Sequence, residues 1–243
     1  MKERPIIFNA EMVRATLRAV DPKTQTRRLD GLEEINERPN LWAFLGLKEG
    51  VAQWTGPGSC RSIKAVRCPY GVSGDRLWVR ETWGLGGARL VDPCLNYAAD
   101  GVQRPVNSGG RCGTGLWYPA GSQTHITTAQ LLKPSLFHRG WRPSIHMPRW
   151  ASRITLEIVR LRVQRLQEIC EQDARAEGII EVVPSLAPAF DGGGCAIGPN
   201  ARVALMRLWD SIYGKREHYA WADNPWVWVV GYRLQEPAMR RAA

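Results

Sequence analysis

The chain has 243 residues, 44% hydrophobic and 23% charged, the composition of an ordinary folded domain with apolar mass enough for a core. Lys+Arg 33 against Asp+Glu 23 gives a formal net charge of +10, which favours polyanionic partners, nucleic acid above all. No apolar run reaches the roughly 18 residues of a spanning helix, and Ile6-Ile7-Phe8 is too short for a signal-peptide core; a cytoplasmic protein without a membrane partner is expected.

In chain order, residues 5–8 read as a short strand and Ala10–Val20 as an amphipathic helix. The stretch Pro22-Lys23-Thr24-Gln25-Thr26-Arg27-Arg28 then gathers three cations and two hydroxyls. If the helical turn continues, Lys23 and Thr26 share one face. An amine beside a hydroxyl either binds an anion or activates a nucleophile. Residues 31–66 carry no firm period and read as an excursion from the core. Turn residues from Pro69 to Asp75 lead into Arg76–Trp83, where Leu77, Val79 and Glu81 share the face expected to be buried.

Residues 84–144 are rich in Gly, Pro and Ser and read as a long functional loop. Ala151–Leu166 alternates as a strand whose phase changes near Val159, the mark of a bulge or of two segments. Gln167–Gly178 reads as a helix with acidic residues throughout, and 181–199 as a further insertion. Asn200–Tyr213 is an amphipathic helix, and Pro225–Leu234 is apolar enough for a central strand. These elements predict a single α+β domain over residues 1–236, built as a small mixed barrel with loop insertions, and a frayed tail at 237–243. Regular βαβ alternation, the mark of a dinucleotide-binding sheet, is missing.

Six cysteines are scattered and expected to be reduced; none forms a Cys-x-x-Cys pair. Cys112, His125, His138 and His146 lie in or beside the long loop without a metal-ligand spacing. A P-loop and a Gly-x-Gly-x-x-Gly turn are both lacking, so neither metal nor organic cofactor is expected. Eleven tryptophans are unusual, and packing accounts for most of them. One or two are candidates for stacking on a base.

Lys23-Thr24-Gln25-Thr26-Arg27 after a helix, Gly74-Asp75-Arg76-Leu77-Trp78-Val79 entering a strand and Ile154-Thr155-Leu156-Glu157-Ile158 leading to a helix together resemble the ASCH domain family. Arg80-Glu81-Thr82-Trp83 and the later Asn224-Pro225-Trp226 resemble in particular the ASCH-type proteins of tailed phages and prophages. The resemblance implies a PUA-like β-barrel. It also implies that Lys23, Thr26 and Glu157 match the Lys-x-x-Thr pair and strand Glu of the small bacterial N4-acetylcytidine amidohydrolases. Asp21-Pro22 stands where that family carries Gly before the Lys.

The expected site therefore has Lys23, Arg27 and Arg28 as cationic wall and Thr26 as nucleophile or helix cap. Glu157 or Glu81 supplies the carboxylate, and Arg76, Arg80 and Trp83 add contacts to nucleic acid. Binding of RNA, single-stranded nucleic acid or a modified nucleoside is the leading expectation. An amidohydrolase or ribonuclease using Lys23, Thr26 and Glu157 is the rival, and a phage assembly or host-interaction protein is a third class.

Overall fold

The computed structural model describes residues 1–56, 63–86, 94–108, 116–119, 126–127, 140–179 and 201–235. The first elements are β1 (Glu3–Ile7), α1 (Ala10–Thr16), β2 (Gln25–Arg28), α2 (Glu33–Glu37), β3 (Ala43–Lys48), β4 (Val51–Thr55), β5 (Ile63–Arg67) and β6 (Arg76–Arg80). Next come β7 (Trp83–Gly86), β8 (Cys94–Tyr97), β9 (Gln103–Ser108), β10 (Leu116–Pro119) and β11 (Ile126–Thr127). The last are β12 (Thr155–Arg165), α3 (Glu171–Ala176), α4 (Ala201–Tyr213) and β13 (Trp226–Gln235). The chain is thus mixed α+β, with more strand than helix. It divides into two compact units, one from residues 1–17, 74–157 and 233–243, the other from 18–73 and 158–232.

In the first unit β1 runs parallel to β6, Glu3 opposite Arg76 and Ile7 opposite Arg80. The start of β12 pairs antiparallel on the other side, Thr155 opposite Trp78. Ile6, Leu77, Val79 and Leu156 are buried from these strands. Asn9 caps α1 by accepting the Met12 N–H at 2.8 Å. The helix ends at Thr16, short of the predicted Val20, which is exposed.

The stretch read as a long loop contains β7 to β11, an antiparallel meander in the order β11-β10-β9-β8-β7. Short hairpin strands need little periodicity when each rung is supplied by the neighbour in sequence. Trp83, Leu85, Leu95, Tyr97 and Val106 of this meander pack with Met147 and Ala151.

In the second unit the later part of β12, then β13, then β2 lie side by side, with Trp228 opposite Arg28 and Gly231 opposite Gln25. Alternation along β13 serves two cores. Val227 and Val229 join Leu29, Leu166, Ile169, Leu205 and Trp209 on the face covered by α3 and α4. Trp226 and Trp228 point the other way, to Trp54 of the β3-β4-β5 sheet, with ring centroids 6.2 and 6.4 Å apart. The described part of the excursion at 31–66 is thus the second cover of β13.

Asn36 of α2 closes the end of that strand. It accepts the Trp226 backbone N–H at 2.7 Å and donates to the Trp226 carbonyl at 3.0 Å.

Among the described residues the strands form open sheets, with edge strands such as β1, β3 and β11, in place of the closed barrel expected. The reason is visible at the edges: β2 is four residues against ten in β13 and has no further strand on its outer side. The insertion at 181–199 and the tail at 237–243 lie outside the described residues.

Candidate ligand-binding site

Asp21 has φ 46°, a left-handed conformation that ends any helical continuation before Lys23. The chain then runs extended. Thr24 donates its N–H to the Ala176 carbonyl at 2.9 Å and accepts the Tyr232 N–H at 2.8 Å. Residues 25–28 are therefore strand, not helical turn, and side chains alternate. Gln25 and Arg27 face α3 on the Val229 side, whereas Thr26 and Arg28 share the side of Trp228. The helical pairing expected of Lys23 and Thr26 is replaced by this alternation.

From the other side comes α3, with Asp173 inside it and Glu177 at its end, before Gly178 at φ 87° stops the helix. A spacing of four places both carboxylates on one face. Lys23 Nζ donates to Glu177 Oε2 at 2.7 Å and to the Glu177 backbone carbonyl at 2.8 Å. Arg27 donates through Nη1 to Glu177 Oε1 at 2.8 Å and through Nη2 to Asp173 Oδ2 at 3.1 Å. Arg162 of β12 donates to both oxygens of Asp173, at 3.1 and 3.0 Å, and to Gln25 Oε1 at 2.8 Å.

The cluster is buried at one end and open at the other. The Lys23, Arg27 and Glu177 side chains are 3%, 2% and 7% exposed, against 19% for Asp173 and 28% for Arg162. Burial pushes the Lys23 amine below the ordinary lysine range, an effect that Glu177 only partly offsets. For Asp173 burial acts upward, but bonds from Arg162 and Arg27 prevail and hold its carboxyl below its usual value.

Three cations share two carboxylates, so the group carries one net positive charge when all are ionised. All four carboxylate oxygens receive cationic donors. What is unspent is donor capacity. Gln25 Nε2 and Arg27 Nε are buried and have no hydrogen-bond partner among the described residues. The Gln25 amide is oriented by chemistry: arginine only donates, so the carbonyl oxygen faces Arg162 and the NH2 is left over.

The other predicted residues have commitments of their own. Glu81, 1% exposed, is gripped by Arg153 through two bonds of 2.9 Å, and Arg153 also binds Asp100 and lies over the Tyr97 ring. Burial raises the Glu81 carboxyl pKa, opposed by Arg153. Glu157 receives Arg233 at 2.9 Å and Gln235 at 2.5 Å, and the Arg233 bond lowers its pKa. Glu177, not Glu157, is the carboxylate on Lys23.

Arg80 donates to the Met147 carbonyl at 3.1 Å and stacks on Trp78 at 5.0 Å, while Arg76 and Arg28 are half-buried. Trp83 is wholly buried, packed edge-on to Trp150 and covered by Arg142, so its ring is core and offers no stacking face to solvent. Among the described residues Trp141 is exposed, at 58%.

Sequence reading missed Glu177, Asp173, Arg162 and Gln25. The four-residue spacing of Asp173 and Glu177, opposite a cationic strand, was a usable signal. No group of three or more His, Cys, Asp or Glu suited to a metal occurs among the described residues. Cys60, Cys112, His125, His138 and Cys195 lie outside them. Comparison of the chain with protein-family models, curated proteins and solved structures finds no match.

Proposed function

We propose that this protein binds a nucleoside, free or as a base of single-stranded nucleic acid, at the Lys23–Arg27–Glu177–Asp173 cluster. The observation that carries the reading is an excess of donors: in a buried cationic cluster each carboxylate oxygen already receives a cationic donor, while the Gln25 Nε2 and Arg27 Nε N–H groups have no hydrogen-bond partner among the described residues. Such a site suits a ligand edge that accepts hydrogen bonds. The chain's net charge of +10 supports a nucleic-acid context, because it strengthens encounter with phosphate chains. The blocks Lys23–Arg27, Gly74–Val79 and Ile154–Ile158 support kinship with the ASCH type, and with it a PUA-like ancestry for the sheets. Equilibrium binding of cytidine and of short RNA, each with wild type and Lys23→Met, tests the reading. Both ligands bind wild type and lose affinity for the variant; absence of binding by wild type refutes it.

A second reading, amide hydrolysis, is favoured by the desolvated Lys23 amine resting on a carboxylate at 2.7 Å. Such a pair takes a proton from water as it adds to an acyl carbonyl and returns it to the leaving amine when the C–N bond breaks. Incubation with N4-acetylcytidine, followed by quantitation of cytidine and acetate, decides it. Turnover equal to that of Lys23→Met removes this reading.

A further inference from the structure

We propose that the open end of this cluster is a phosphate site, at which Arg162 and Arg160 of β12 hold the anion against the sheet. The site deepens the nucleoside reading above, since it makes the ligand a nucleotide. It uses different side chains, at the surface, and can be tested separately from that reading.

Arg162 commits one of its nitrogens to the protein. Nη2 donates to both oxygens of Asp173, at 3.1 and 3.0 Å, and to Gln25 Oε1 at 2.8 Å. Nη1 and Nε give no hydrogen bond to the described residues, in a side chain that is 28% exposed. The guanidinium is thus anchored at one end while its other N–H donors stay open to a ligand. The freedom that an arginine ordinarily loses on gripping an anion is already lost on folding.

Arg160 lies two residues earlier on the same strand, its Cα about 7 Å from that of Arg162. It is exposed and has no hydrogen bond or ion pair among the described residues. Gly231 of β13 fixes the side of the sheet on which it stands. Gly231 is directly opposite Gln25, and a Cβ at Gly231 would come within 3.4 Å of Arg160 Cβ. Arg160, Gly231 and Gln25 therefore form one row across three strands, on the face that carries Arg162 and α3. The middle of that row has no side chain and is half-buried, so a ligand can approach the strand backbone between its neighbours.

This arrangement selects an oxyanion. Guanidinium donors match phosphate oxygens in geometry and charge. The carboxylates nearby cannot take up the open donors, because the oxygens of Asp173 and Glu177 already hold Lys23, Arg27 and Arg162 Nη2. Arg160 raises the net charge of the cluster from one to two, which suits a phosphate monoester close to its dianionic form at pH 7.

Calorimetric titration at constant ionic strength compares inorganic phosphate, cytidine 5′-monophosphate and cytidine. Wild type binds inorganic phosphate, and binds the monophosphate at least about tenfold more tightly than cytidine. Arg160→Gln, a change at an exposed position, cuts that ratio by about tenfold. Arg162→Lys keeps a cation on Asp173 but removes the fork, and lowers the ratio in the same direction. Sulfate displaces the bound phosphate, whereas acetate at equal ionic strength does not. Equal affinity for monophosphate and cytidine, without binding of inorganic phosphate, overturns the phosphate site and leaves the nucleoside reading intact. A ratio unchanged in Arg160→Gln, or displacement by acetate as by sulfate, overturns the assignment to these arginines. Binding of phosphate without binding of cytidine supports the site and overturns the nucleoside reading; failure to bind any of the three overturns both.

Discussion

Lys23 and Glu177 form an ion pair in which both partners are almost wholly withdrawn from water, Nζ lying 2.7 Å from Oε2. A charge in such a place is stable only while its partner remains. Glu177→Ala strands Lys23 and one arm of Arg27, and is expected to cost about 3–5 kcal/mol. Lys23→Met with Glu177→Leu together recover part of that loss, because the orphaned ammonium goes too. Urea unfolding of the single and double variants measures this; additive losses would show that the two side chains do not interact.

Acid should weaken the second unit through Asp173. Its carboxyl pKa is held down in the folded protein, whereas in the unfolded chain it returns to about 3.9. A depressed folded value means that the stabilisation is complete above the unfolded pKa and is lost as pH falls through the folded one. Thermal melts from pH 6 to pH 2 are expected to show a steep loss below about pH 4. Asp173→Asn should flatten that limb, and an unaltered slope would assign the acid sensitivity to another group.

Glu81 is expected to matter for stability, through Arg153. Its removal leaves a partly buried guanidinium with Asp100 alone, so Glu81→Ala should cost about 3 kcal/mol. Arg153→Met should cost at least as much, since it abandons a carboxylate that is 1% exposed. Chemical denaturation checks both. Two variants as stable as wild type would mean that the pair is open to water.

Asn36→Ala leaves the backbone N–H and C=O of Trp226 both unmet in a buried place. Each unmet group costs about 1–3 kcal/mol, so the loss should exceed that of an ordinary surface substitution several-fold. Amide exchange at Trp226 gives an independent reading: the N–H should become fast in the variant. Protection equal to wild type would mean that another group replaces Asn36.

Elements with strong periodicity were legible from sequence. β13, α4 and β12 lie close to their predicted bounds, and the phase change near Val159 reappears as Val159 and Arg160 exposed in succession. What escaped depends on partners in other strands, outside any local pattern. Residues 84–144 show little alternation, yet Trp83 finds Tyr97 across a ladder, and such rungs are written in no local pattern.

The same holds for the site. Lys23 and Arg27 were legible as a cationic group, but their carboxylates stand some 150 residues away, at Glu177 and Asp173. Among the acidic residues of 168–177, only packing decides which ones turn inward. Local reading also mistook the backbone, since Asp21 in a left-handed conformation turns an apparent helix tail into a strand.

The Asn36 amide at Trp226 has a consequence for association between chains. The last register pair of β13 and β2 joins Trp228 to Arg28, so at Trp226 the longer strand has outrun its neighbour. An uncovered rung of that kind is a template on which a foreign strand can add. The amide of Asn36 imitates a peptide group there, offering one donor and one acceptor in the places a strand would. A single side chain thus guards this end of the sheet against templated aggregation.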